Sequence, residues 1–161
     1  MILSHQQTTK MAISQSKYLR SLSVWIGFVA IMALGNTVQC FIDPSFLSSR
    51  LYTRNPSINV TSLAARLFGI WTLLSGILRF ACAINIHNKI LYHLTFFSFF
   101  LAFGHFVTEL YPYETAELSL GVLAPLTVSS MSIILMSVGY FFLGHNVVPV
   151  KEGENRKTKI T

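Results

Sequence analysis

Charge is scarce in this chain of 161 residues: Asp, Glu, Lys and Arg together make up 11% of it, where a soluble domain carries about 25%. With 52% of the residues hydrophobic, too little polar surface is left to coat a soluble globule, and the composition is that of an integral membrane protein. Acidic residues are the rarest, six against twelve basic ones, for a formal net charge of +6. In a soluble protein that excess would point to nucleic acid. Here the basic residues stand mostly at the ends of apolar runs, where they set orientation, so no nucleic-acid partner is expected. Cysteine is nearly absent, and Cys40 and Cys82 lie in or at the end of apolar runs, which fits buried thiols better than a disulfide.

Catalytic motifs are missing as well. The chain has no glycine-rich phosphate loop, Walker lysine, G-x-S-x-G elbow or Cys-x-x-Cys pair. Its histidines, His5, His87, His93, His105 and His145, are never three or four residues apart, as a helical metal pair requires. No catalytic residue, cofactor or metal is therefore expected, and His87 fits a capping or interfacial role.

What the chain does have is four runs of hydrocarbon length, 22–42, 63–84, 90–110 and 119–143. Each can cross a core about 30 Å thick at 1.5 Å per residue. The expected fold is all-α: a polytopic membrane protein with four transmembrane helices in a bundle joined by short connectors. Residues 1–21, which hold Lys10, Lys17 and Arg20 and no acid, are expected to form a disordered basic tail, and 144–161 a second basic tail. A signal peptide cleaved near Ala33-Leu-Gly35 is the weaker reading of the first run. Asn59-Val60-Thr61 is a formal glycosylation sequon, but it lies too near the next run for efficient modification.

Several residues break the apolar pattern. Asn36 and Gln39 are costly in lipid and are expected to pack inside the bundle. Arg66 and Arg79 lie near the two ends of the second run, where long stems reach water. Small residues at Ala65, Gly69, Thr72, Gly76 and Ala83 share one helical face and predict a close helix contact. Ser98, Ala102, His105 and Glu109 form a second such face, on which His105 and Glu109 are spaced for a hydrogen bond or ion pair. Gly121, Pro125, Ser129, Ser132, Met136 and Gly139 form a third. Asn36, Gln39, Arg66, Arg79, His105 and Glu109, together with His87 in the turn, are the candidate bundle or partner contacts.

Orientation follows from Lys and Arg. The tails and the 85–89 turn carry most of them, against Arg50, Arg54 and Arg66 on the other side, so both termini are expected to be cytoplasmic. That placement gives Lys157-Thr-Lys159-Ile-Thr161 the form of a K-x-K-x-x endoplasmic reticulum retrieval signal.

The segments Gly35-Asn-Thr-Val-Gln-Cys-Phe41, Ala65-Arg-Leu-Phe-Gly-Ile-Trp-Thr-Leu-Leu-Ser75, Cys82-Ala-Ile-Asn-Ile-His-Asn-Lys89, Leu91-Tyr-His-Leu94, Gly104-His-Phe106 and Gly121-Val-Leu-Ala-Pro-Leu126 occur in order without large gaps. Together they resemble the ergosterol biosynthetic protein 28 family, most distinctively through His87-Asn88-Lys89 and Tyr92-His93. The resemblance implies a four-helix endoplasmic reticulum protein that acts as a non-enzymatic scaffold in sterol synthesis. Its implied partners are the membrane-bound C-4 demethylation enzymes: the methyl oxidase, the C-3 dehydrogenase/decarboxylase and the 3-keto reductase. It carries no catalytic residues over. Two other readings stay open from the residues alone: a sterol isomerase using His105 and Glu109 as a proton shuttle, and a sterol- or lipid-binding protein. Self-association of the bundle is also open.

Overall fold

The computed structural model describes residues 2–54 and 60–144, with side chains from 13 to 54 and from 60 to 143. Asn59, the 145–161 tail and the retrieval lysines Lys157 and Lys159 lie outside the described residues. Five helices follow one another: α1 (Ile2–Ile42), α2 (Phe46–Arg50), α3 (Ser62–Ile84), α4 (Lys89–Leu110) and α5 (Leu120–Gly144). Four of them contain stretches long and apolar enough to cross a membrane, namely Ile13–Ile42, Ser62–Ile84, Lys89–Leu110 and Leu120–Leu143, and the described residues contain no strand.

The first helix departs from expectation, since it starts at Ile2 instead of 22. No glycine or proline occurs before Gly27, so nothing in the polar segment stops a helix. Tertiary contacts then hold its later part. Tyr18 donates a hydrogen bond to the Leu135 carbonyl on α5 at 2.7 Å, and Leu19 is buried beside Leu22 and Met136. Residues 13–21 are thus part of the packed helix and not a disordered tail.

α1 and α3 run antiparallel in close contact, and small residues make this possible. A Cβ on Gly27 would meet Ala83 at 3.6 Å, one on Gly76 would meet Leu34 at 3.1 Å, and one on Gly69 would meet Phe41 at 3.0 Å. Polar groups along the same seam are satisfied within it. The hydroxyls of Thr37 and Thr72 lie 3.0 Å apart, and Ser23 donates to the Ala83 carbonyl. The face Ala65, Gly69, Thr72, Gly76 and Ala83 is therefore the predicted helix contact.

The α3–α4 connection is as tight as the sequence indicated. Asn85 caps the end of α3, its N–H donating back to the Ala81 carbonyl at 3.2 Å, and Asn88 caps the start of α4, its side chain accepting from the N–H groups of Ile90 and Leu91. α5 then closes the bundle with Ser129, Ser132, Met136 and Gly139 buried. Trp25 donates to Ser132 at 3.0 Å, and Tyr92 donates to the Met136 carbonyl at 2.5 Å. Pro125 lies inside α5, where Ser129 donates to its carbonyl. Large apolar side chains such as Val24, Ile31, Leu67, Leu74 and Phe97 point outward, as the lipid-facing side of a membrane bundle requires.

At the other end, α5 begins against the end of α2. A Cβ on Gly121 would overlap the Arg50 carbonyl oxygen, a backbone atom that cannot rotate aside. Gly121→Ala should therefore lower the thermal midpoint of the detergent-solubilised protein by an amount equivalent to about 1–3 kcal/mol. Gly35, with open space around its Cβ position, is the control: Gly35→Ala should leave the midpoint unchanged or raise it slightly.

Candidate functional site

The candidate residues separate into three groups. His105 and Glu109 meet as the spacing predicts. Both lie on the last turns of α4, with His105 Nδ1 3.7 Å from a Glu109 carboxylate oxygen and side chains 28% and 18% exposed. The helix presents them to segments that sequence reading did not connect with them. Tyr52, in the connector after α2, lies 2.8 Å from His105 Nε2, and the Thr115 hydroxyl, in the α4–α5 connector, donates to the second Glu109 oxygen. Tyr52 and Nε2 share a hydrogen bond whose direction depends on the imidazole tautomer, and Nδ1 faces the carboxylate. The result is a chain of four polar groups, Tyr52, His105, Glu109 and Thr115, that ties two connectors to α4.

Aromatic rings pack around the imidazole. Trp71 and Phe106 lie edge-on with centroids 5.1 Å away, and Phe68 is at 6.3 Å. The Glu109 backbone carbonyl also accepts the N–H groups of Thr115 and Ala116, and Arg54 N–H reaches the Thr115 carbonyl at 3.3 Å. Arg54 and Glu114 pair across the same connectors at 3.5 Å in the open. Glu114 has φ of 50°, a left-handed conformation uncommon outside glycine, so the surrounding bonds hold that turn in place. The geometry is that of a structural clasp at one end of the bundle. A phenol, an imidazole and a carboxylate in series are also chemically able to pass a proton.

Arg79 corrects an expectation. It does not reach water: the residue is 8% exposed, its guanidinium carbon sits 4.3 Å from the centroid of the Phe99 ring, and Nε has no hydrogen-bond partner. The cause is directional, because helical side chains lean toward the helix N-terminus. Near the end of α3 that lean points Arg79 away from the interface, and its face, shared with Ser75, Gly76 and Cys82, is the buried one. Arg66, near the start, instead leans outward from an exposed face with Leu63, Leu67 and Ile70.

Asn36 and Gln39 are the second correction. Both stand on the exposed side of α1, and it is Thr37, between them, that turns inward to α3. Their spacing of three places them on one face away from the α3 seam. His87 is exposed in the α3–α4 turn. Tyr52, Thr37, Thr115 and Phe99 were the residues missed. Only Thr37 carried a signal, a hydroxyl within the same apolar run as Asn36 and Gln39. Among the described residues no group of three or more His, Cys, Asp or Glu is placed to hold a metal.

Four apolar spans, small-residue seams and polar groups used as interhelical ties define a small polytopic helical membrane protein. A family model described as "Erg28 like protein" matches residues 22–134, and the chain belongs to that family. It is 51% identical over 141 residues to the human ergosterol biosynthetic protein 28 homolog, covering 88% of this chain and 99% of the relative. It is 42% identical over 113 residues to ergosterol biosynthetic protein 28 of Schizosaccharomyces pombe, covering 70% and 81%. The Saccharomyces cerevisiae protein of that name is 34% identical over 115 residues, covering 71% and 77%. No solved structure matches the chain.

The clasp makes the protein sensitive to alkali. Burial, reinforced by the Glu109 carboxylate and Cys40, pushes the Tyr52 phenol above its ordinary value. The folded protein thus favours the neutral phenol. Its contribution is complete below the unfolded value near 10 and is lost as pH rises toward the higher folded one. Tyr52→Phe should lower the thermal midpoint at neutral pH by an amount equivalent to about 1 kcal/mol. It should also remove part of the further loss that the unsubstituted protein shows above about pH 10, measured by thermal scans across that range.

Proposed function

We propose that this chain is a non-enzymatic scaffold of the endoplasmic reticulum membrane that holds the sterol C-4 demethylation enzymes near one another. Its clients are the methyl oxidase, the C-3 dehydrogenase/decarboxylase and the 3-keto reductase. Family membership supports the sterol setting, since the relatives carry the name ergosterol biosynthetic protein 28. The retrieval pattern at Lys157 and Lys159, with both tails cytoplasmic by the count of basic residues, supports the compartment.

The observation that carries the scaffold reading is the exposed pair Asn36 and Gln39 on α1. Gln39 lies about 4.5 Å and Asn36 about 9 Å from the helix end at Ile42. An amide on the outer face of a span loses hydrogen bonds against lipid, Asn36 more than the shallower Gln39, and gains them against another helix that supplies partners. A client helix is the natural occupant. The His87 turn, exposed between α3 and α4, would meet the cytoplasmic parts of the same clients.

The mechanism is proximity. Two enzymes held on one small bundle see each other at a local concentration far above their average in the membrane, so an intermediate leaving one meets the next before it diffuses away. The isomerase reading competes through the Tyr52–His105–Glu109 series. Against it, Trp71, Phe68 and Phe106 crowd the imidazole where a substrate would have to approach.

Cells lacking the chain should accumulate 4-methyl sterol intermediates, while each demethylation enzyme assayed alone keeps its turnover. Sterol profiling with single-enzyme assays checks this. An unchanged sterol profile contradicts tethering, and loss of an isomerisation step would favour the enzyme instead. Replacing both Asn36 and Gln39 by Leu should reduce co-purification of clients severalfold without lowering the thermal midpoint.

A further inference from the structure

Arg79 is a cation without an anion. Among the described residues the ion pairs are Arg54 with Glu114 and His105 with Glu109, and Arg79 has only the face of Phe99 and an Nε that nothing accepts from. Its position along the bundle is equally telling. Phe99 lies ten residues after Lys89 and eleven before Leu110, at the centre of α4. At 1.5 Å per residue that is roughly 15 Å from either end, half of a hydrocarbon core about 30 Å thick. Arg79's own backbone lies about 7.5 Å from the α3 end at Ile84, and its side chain leans inward from there toward the level of Phe99. The guanidinium thus sits well inside the hydrocarbon, where an unpaired charge is costly.

We propose that Arg79 receives a carboxylate, an Asp or Glu side chain carried to the middle of the membrane by a partner protein's transmembrane helix. Depth selects this occupant. A phospholipid phosphate stays at the headgroup level, and the carboxylate of a free fatty acid rises to the interface because its flexible chain lets it. A side chain fixed on a spanning helix has no such escape. An isolated acid at that depth and an isolated arginine are each unfavourable, and pairing them offsets part of both penalties. The guanidinium's planar fork suits a carboxylate in two-point contact. The lipid-facing side of α3 and α4 offers an approach: Ile77 and Phe80 on one helix and Leu94 and Phe97 on the other are half or more exposed.

This inference rests on the scaffold reading in so far as it names a contact by which a client docks, but it can fail separately. The test uses the purified chain in phosphatidylcholine vesicles with fluorophore-labelled, leucine-rich transmembrane peptides. One peptide has Glu at its centre, a second has Gln there, and a third has Glu one turn from its end. Energy transfer between labelled chain and peptide reports association. The centre-Glu peptide should associate about tenfold more tightly than the other two. Arg79→Gln should abolish that preference, with its thermal midpoint measured to establish that it folds, and Arg66→Gln at the exposed start of α3 should retain it.

Equal association of the centre-Glu and centre-Gln peptides with the unsubstituted chain overturns the proposal without reference to any variant. Survival of the preference in Arg79→Gln overturns it as well. Oleate added to the same vesicles should leave the preference unchanged. If oleate displaces the centre-Glu peptide, the carboxylate that Arg79 takes belongs to a lipid, and the partner-helix assignment fails. Clients that co-purify normally with Arg79→Gln would leave tethering standing and remove Arg79 from it.

Discussion

Hydrocarbon offers no hydrogen bonds, and the placement of nearly every polar side chain in this bundle answers to that constraint. Serine and threonine hydroxyls on α4 and α5 return to carbonyls of their own helix one turn back, as at Ser98, Ser129 and Ser132. Others cross to a neighbour: Ser23 to Ala83, Trp25 to Ser132, Tyr92 to Met136. These crossings are possible because glycine and alanine bring the backbones close, above all where α1 and α3 meet at Gly69, Gly76 and Ala83. Close approach and hydrogen bonding are one device here, since neither Ser23 nor Thr37 would reach α3 across a seam of bulky residues.

Where this accounting fails, function is the economical explanation. Asn36 and Gln39 face outward with no described partner in the bundle, and Arg79 faces inward with no anion. A chain whose whole purpose was to fold would have little reason to keep three such groups. A chain that must hold other membrane proteins has one, because polar groups in lipid are where helix recognition is most selective. The Tyr52–His105–Glu109–Thr115 clasp belongs to the satisfied class and holds its end of the bundle together.

Much of the fold was legible in the sequence because membrane spans announce themselves by length and hydropathy, and helical faces by spacing. The seam from Ala65 to Ala83, the face from Ser129 to Gly139 and the His105–Glu109 pair all followed from steps of three, four and seven. What escaped depended on information that periodicity lacks. Arg66 and Arg79 look alike as helix-end arginines, yet they stand on different faces of α3, and face together with axial lean leaves one exposed and buries the other. The cost of an amide in lipid argues for Asn36 and Gln39 inside, but it does not say which face of α1 turns inward, and the inward hydroxyl is that of Thr37. Tyr52 is separated from His105 by a long stretch of sequence in a connector with no regular pattern, so no local rule could join them. The length of α1 came from packing against α5 and the absence of any helix breaker, while hydropathy marked only the apolar part.

Tethering is the central claim, and it is tested most directly by asking whether two clients need this chain in order to be found together. The measurement is capture of the C-4 methyl oxidase from detergent-solubilised microsomes, with the 3-keto reductase quantified in the eluate, in cells with and without the chain. The account predicts that the reductase accompanies the oxidase when the chain is present and falls to background when it is absent. Undiminished recovery of the reductase without the chain would contradict it.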